Sequence, residues 1–264
     1  MEVRKLSIIT VNLNNRIGLI KTIESIKSQS FQNYEWIVID GGSTDGSKEV
    51  IEENSNYISY WVSEPDGGIY YAMNKGLRQA NGEYVQFLNS GDYYIDKNVL
   101  EYIFAQDQNL SDVNYGDQWC IDNGIVVEKR SYPANMNISF LFRSPLGHQA
   151  TIIKTECAKA CPYRAEYSIS ADRAFFLELY CKGAKFKYLG VPVVYFDVDG
   201  IGSNPSTKEL RSRQLEDIKV SLWGEQVCSD IEELIDKENE FNFVLRSFPL
   251  NVMYRFYKWL QKLK

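Results

Sequence analysis

Three short clusters combine carboxylates with small residues in ways that could bind and activate a polar ligand. At Asp40-Gly-Gly-Ser-Thr-Asp-Gly46, small residues would let the backbone approach a flat ligand. Asp40 could then accept from a base or ribose donor, while Ser43 or Thr44 would equally serve to cap a following helix. At Asn89-Ser-Gly-Asp92, a carboxylate could hold a divalent cation that neutralises a diphosphate. Hard oxygen ligands suit Mg²⁺ or Mn²⁺, although a lone Asp is also an ordinary turn residue. In Ser168-Ile-Ser-Ala-Asp-Arg-Ala-Phe-Phe176, Asp172 precedes an apolar helical run. It could complement the helix dipole or act as a general base on an incoming hydroxyl.

The elements that would carry these clusters alternate strand and helix. Strands are expected over Leu6–Leu13, Tyr34–Ile39, Tyr57–Ser63 and Glu83–Leu88. Helices are expected over Ile17–Ser28, Ser47–Asn54 and Gly68–Gln79, and from the cap Asp96 through Ala105. Such alternation predicts an α/β fold with a mainly parallel sheet flanked by helices, and ligand loops beyond the carboxyl ends of the strands. Asn12-Leu-Asn14, Asp40–Asp45, Glu64–Gly68 and Asn89–Asp92 all fall at such ends. Next come a hairpin around Asp122-Asn-Gly124, a strand over His148–Ile153 and a helix over Thr155–Ala160. A helix over Ala171–Lys182 is followed by a strand over Phe186–Phe196, interrupted at Pro192. A loop over Asp197–Asn204 carries Gly200 and Gly202 and reads as a lid. Residues 1–204 would form the catalytic domain and 205–264 a helical extension.

Composition narrows the classes. Net charge is -6 and hydrophobic residues are 44%, which fits a globular protein and argues against a nucleic-acid binder. The single histidine, His148, and the cysteines at 120, 157, 161, 181 and 228 match no zinc spacing. The thiols read as reduced, in a cytoplasmic setting. No apolar run approaches a membrane span. From Phe241 to Lys264 there are five Lys/Arg and no acids, interleaved with aromatics. That pattern fits peripheral contact with an anionic inner-leaflet surface, or packing on the domain or another subunit.

In this order, the motifs resemble a family 2 glycosyltransferase of the GT-A fold, in particular the bacterial polysaccharide-assembly subgroup. The residues that carry the resemblance are Ser7-Ile-Ile-Thr-Val11, Ser25–Ser30, Asp40–Gly46, Glu64-Pro-Asp-Gly-Gly-Ile69, Ala72-Met-Asn-Lys-Gly76, and Gly82-Glu-Tyr-Val85 before Phe87–Asp92. Looser similarity continues through Gly147-His148-Gln149 and Ala171-Asp172 to Asp199–Ser203.

The resemblance implies inverting transfer of a sugar from a nucleotide-diphosphate donor, with UDP-sugar favoured, to a hydroxyl of a glycan or lipid-linked acceptor. It places Thr10, Asn12, Asp40, Asp66, Asn74, Asn89, Ser90 and His148 around the donor, Asp92 at the metal, and Asp172 as catalytic base. There are two departures. Gly41 stands where a second acid is common, and Gly91 stands where the family's metal-binding Asp falls. A degenerate GT-A domain serving as a binding or scaffold subunit is the alternative reading.

Overall fold

The computed structural model describes residues 4–105, 110–198 and 205–246, together with 255, 258, 259 and 261. Two compact units emerge, Met1–Leu215 and Glu216–Lys264. The division falls inside a helix, beyond residue 204.

The first unit begins with three apolar strands: β1 (Leu6–Asn12), β2 (Tyr34–Asp40) and β3 (Tyr60–Ser63). Between them run α1 (Arg16–Lys27) and α2 (Ser47–Glu53). Next are α3 (Ile69–Gln79), β4 (Tyr84–Phe87), the short β5 (Tyr93–Tyr94) and α4 (Val99–Ala105). Strands β1 and β2 pair in parallel, as do β1 with β4 and β2 with β3. Alternation of side chains sends Ile8, Trp36 and Val38 to one face, where they meet Leu19, Ile23, Ile51 and Ile103 from the helices. On the opposite face α3 buries Met73 and Leu77 close against β1 and β2.

The second half departs from the expected parallel pattern. It contains β6 (Val113–Asp122), β7 (Ile125–Arg130), β8 (Thr151–Lys154) and β9 (Phe186–Asp197). The strand order is β3-β2-β1-β4-β8-β6-β9-β5, with β7 paired to β6. Strand β8 runs antiparallel to both β4 and β6, while β6 and β9 are parallel. Pro192 coincides with a shift in the β6–β9 register, as a residue without a backbone N–H requires.

Helices α5 (Ile138–Arg143), α6 (Thr155–Ala160) and α7 (Ala171–Cys181) lie between these strands. The sequence reading missed α5, which is short and capped by Asn137 accepting from Phe140 N at 2.8 Å. The strand expected from His148 starts only at Thr151, because His148–Ala150 form a 3₁₀ turn. Helices α8 (Lys208–Trp223) and α9 (Glu225–Arg246) follow. Among the described residues, no helix is long and apolar enough to cross a membrane. Most of the expected lid and much of the basic aromatic tail lie outside the described residues.

Gly76 lets α3 approach the sheet. A Cβ there would sit 2.5 Å from Ile9 Cγ2, on a strand that cannot yield. Ala is favoured over Gly by about 1 kcal/mol in a helix, but overpacking a core costs about 1–3 kcal/mol. We expect Gly76→Ala to be net destabilising, with a lower urea midpoint and an unchanged slope. A raised midpoint would show that the helix preference prevails.

Candidate active site

Asp40 closes β2 in the same cross-strand row as Asn12 of β1 and Ser63 of β3. Its carboxylate is 0% exposed. Oδ1 accepts from Asn12 Nδ2 at 2.7 Å and Ser43 Oγ at 2.5 Å. Oδ2 accepts from Ser63 Oγ at 2.6 Å, Ser43 N at 2.9 Å and Gly42 N at 3.2 Å. Burial pushes the pKa up, but the donors of Ser43, Ser63 and Asn12 outweigh it and hold the carboxyl below its ordinary value.

Asp40 therefore shapes the 41–43 loop from below. Over that loop stands Asp66, half-buried, its Oδ1 accepting from Gly68 N at 2.8 Å. A Cβ on Gly41 would lie 3.2 Å from Asp66 Oδ2 and 3.2 Å from Leu13 Cδ1. A glycine here leaves a narrow space beside an accessible carboxylate.

Beyond β4 the chain turns through Asn89–Asp92. Thr22 of α1 clasps this turn, accepting from Gly91 N at 3.0 Å and donating to Asp92 O at 2.8 Å. Asp92 is 4% exposed, and its Oδ1 accepts from Asp197 N at 3.2 Å, at the end of β9. Burial drives its carboxyl well above the ordinary value. Across the turn, Asn89 Nδ2 lies 3.2 Å from His148 Nε2, while Asn89 Oδ1 is buried without a partner. His148 is 7% exposed, and burial lowers its pKa to about 4, so the ring is neutral near pH 7.

Asp172 lies in the first turn of α7. Its Oδ1 accepts from Arg173 N at 2.8 Å and lies 3.4 Å from the Tyr70 hydroxyl, which also donates to Ile169 O at 3.0 Å. Burial raises the Asp172 pKa against the opposing influence of Arg173. Arg173 is spent elsewhere, donating to Leu141 O at 3.0 Å and Phe142 O at 3.2 Å in α5. Tyr70 stands two residues past Gly68, so the α7 carboxyl is one side chain away from the loop after β3. A carboxyl made more basic by burial, beside a loop with an accessible acid, can accept a proton from a bound hydroxyl.

The family described as Glycosyl transferase family 2 matches residues 7–169. The chain belongs to that family. The matched span covers the loops after β1 to β4 and stops short of Asp172. The uncharacterized glycosyltransferase Rv1514c of Mycobacterium tuberculosis is 30% identical over 204 residues, covering 75% of this chain and 77% of that protein. The PGL/p-HBAD biosynthesis glycosyltransferase Rv2957 of the same organism is 27% identical over 220 residues, covering 78% and 82%.

Among solved structures, S. aureus TarS 1–349 in complex with UDP superposes with TM-score 0.62 at 23% identity, covering 82% of this chain and 65% of that one. This glycosyltransferase spans only 37% of the longer TarS chain. A mannosyltransferase from Pyrobaculum calidifontis, PcManGT, in complex with GDP-Man and Mn²⁺ superposes with TM-score 0.58 at 12% identity, covering 97% and 80%. The fold is accordingly GT-A, and the protein is a transferase of sugars.

The resemblance places the backbone near Thr10–Asn12 and several neighbouring residues around the donor, and the side chains of some of them are hydrogen-bonded within the protein. Thr10 is fully buried and accepts from Trp36 Nε1 at 3.1 Å, so it packs inside the sheet. Asn74 Nδ2 donates to Tyr163 O at 2.7 Å and its Oδ1 accepts from Tyr163 N at 2.9 Å, which ties α3 to the segment before α7. Asp40 holds the 41–43 loop from below, and Asp92 is buried with its Oδ1 against Asp197 N. Asn12 is spent on Asp40 and Ser43, at 2.7 and 3.1 Å. Ser90 N donates to Val11 O at 3.1 Å, which fixes the turn to β1.

Asp66 lies in the loop after β3, Asn89 and Ser90 lie in the turn after β4, and His148 lies against Asn89. The sequence reading missed Tyr70, which lies between the Glu64–Ile69 and Ala72–Gly76 motifs. It also missed Gln214, whose Oε1 accepts from Ile169 N at 3.1 Å and Ser170 N at 3.2 Å just before α7.

The buried imidazole has a pH signature. The unfolded chain takes up a proton at 6.5, and the folded chain refuses it until about 4. Stability is therefore lost as pH falls from 6.5 to about 4, by about 3 kcal/mol in all. We expect His148→Gln to flatten this part of the stability profile in denaturant melts. An unchanged slope would mean the ring titrates normally.

Proposed function

We propose that the protein is an inverting glycosyltransferase. It moves a sugar from a nucleotide-diphosphate donor, UDP-sugar first among them, to a hydroxyl of a lipid-linked cell-surface glycan. The observation that carries this reading is Asp172, a carboxyl kept basic by burial and linked through Tyr70 to the loop after β3. Support for the donor comes from the family match over residues 7–169 and from neighbours of the same fold solved with UDP and with GDP-Man.

In the proposed reaction, Asp172 accepts the proton of the acceptor hydroxyl as its oxygen attacks the anomeric carbon. The bond from that carbon to the diphosphate oxygen breaks, and its electron pair leaves with the nucleoside diphosphate. Attack from the face opposite the leaving group inverts the anomeric centre, as in single-displacement glycoside hydrolysis. The 41–43 loop and Asp66 receive the nucleoside, and the 89–91 turn with neutral His148 lies toward the diphosphate.

Mg²⁺ or Mn²⁺ fits this turn in part. Asn89 Oδ1, buried without a partner, is a hard oxygen donor, and Asp92 faces inward. Among the described residues no three His, Cys, Asp or Glu side chains form a ready cage. Hard cations of this kind are commonly held by one or two carboxylates plus substrate phosphates. When bound, the cation would stabilise charge on the departing diphosphate.

The sequence pattern of the tail supports a membrane-bound acceptor reached from the cytoplasmic face. A test is flotation with vesicles containing anionic lipid, where we expect binding in low salt and release at high salt. No binding to such vesicles would remove the peripheral-membrane component. For catalysis, we expect Asp172→Asn to lower turnover by about 10²–10⁴-fold, with nucleotide affinity preserved in calorimetry. Full turnover by this variant would refute the base assignment.

A further inference from the structure

We propose that Asp197, at the carboxyl end of β9, is the carboxylate that faces the donor diphosphate and its divalent cation, in place of the acid that Gly91 lacks. The inference rests on the donor chemistry proposed above and assigns its phosphate side to a residue outside the matched family span.

Gly91 has φ +104°, where side chains are disfavoured. A Cβ built on it would lie 3.6 Å from Asp197 Cβ and 4.0 Å from Asp197 Oδ2. The carboxylate of Asp197 therefore stands beside the volume that a residue-91 acid would use. Asp197 is half-buried at the end of its strand, whereas Asp92 is enclosed.

The hydrogen bond from Asp197 N to Asp92 Oδ1 gives Asp92 a different task. It pins the end of β9 to the turn after β4, and so sets where the Asp197 side chain begins. The same turn carries Asn89 Oδ1, a buried carbonyl oxygen without a partner. One carboxylate and one amide oxygen, completed by phosphate oxygens and water, make the all-oxygen set that Mg²⁺ or Mn²⁺ takes. An acid at both 91 and 197 would crowd two negative charges together, which is a physical reason for glycine to accompany Asp197.

The test is Mn²⁺ binding, followed by the EPR signal of free Mn²⁺ with saturating UDP or GDP, alongside calorimetry of the nucleotide without metal. We expect Asp197→Asn to weaken Mn²⁺ binding by about tenfold or more, with metal-free nucleotide affinity unchanged. Asp197→Glu should restore part of the Mn²⁺ affinity, and Asp197→Ser serves if the Asn variant does not fold. Asp92→Asn, checked for folding by circular dichroism, should retain Mn²⁺ binding more fully than Asp197→Asn.

The assignment is overturned if the folded Asp197 variants bind Mn²⁺ as the wild type does, or if only the Asp92 variant loses it. A wild type that transfers sugar without any influence of Mn²⁺ on nucleotide binding would sink this assignment alone. A wild type that binds neither nucleotide would bring down the donor chemistry and this assignment together.

Discussion

A charge buried at the end of β2 organises the rim of the sheet. Moving a carboxylate out of water is unfavourable by several kcal/mol unless hydrogen bonds replace its hydration. Asp40 meets that cost with five donors drawn from β1, from β3 and from its own following loop. Hydrogen bonds to charged groups contribute about 1.5–3 kcal/mol each, so the cluster is satisfied only when all three strand ends are in register. The constraint runs both ways. The parallel ladder places Asn12 and Ser63 on either side of Asp40, and Asp40 then dictates the path of Gly41–Ser43. The space above Gly41, beside the Asp66 carboxylate, inherits its shape from that path.

Three carboxyls near this rim titrate differently because their donors differ in number and strength. Asp40 is held low by hydroxyl, amide and backbone donors acting against burial. Asp92 is enclosed with weaker compensation and the negative Asp197 beside it, and its carboxyl is driven up. Asp172 is raised by burial in spite of the adjacent Arg173, whose guanidinium is turned to the carbonyls of α5. A charged anchor, an enclosed strut and a more basic acid arise from one residue type. The division follows from where each lies relative to strand ends and helix starts.

Much of the first hundred residues was legible because local signals agree there. Apolar runs end in polar turns at Asn12, Asp40, Ser63 and Asn89, and these coincide with the carboxyl ends of parallel strands. The orientation of Thr10 was also readable in principle. Side-chain alternation puts it on the face of Ile8, inside the sheet. Asn74 was not readable, because its partner Tyr163 lies 89 positions away and no periodicity joins them. The same holds for Tyr70 and Asp172, 102 positions apart. The turn at His148–Ala150 escaped notice because three residues before an apolar strand are too few to show a helical period, and α5 because six residues give too little periodicity.

The reversal at β8 explains how residues so distant in the chain share one edge. Strands β1 to β4 run in one direction and present their carboxyl ends together. Because β8 is antiparallel to β4, the segment that precedes it lies at that edge, which brings His148 to Asn89. Strand β6 is antiparallel to β8, so two reversals restore the original direction, and β9 follows β6 in parallel. The carboxyl end of β9 therefore returns to the rim occupied by the ends of β1 to β4. An acid at position 197 meets the turn at position 92 through a backbone hydrogen bond, although 105 residues separate them. Topology thus lets the far end of the sheet contribute to a rim that the first four strands build.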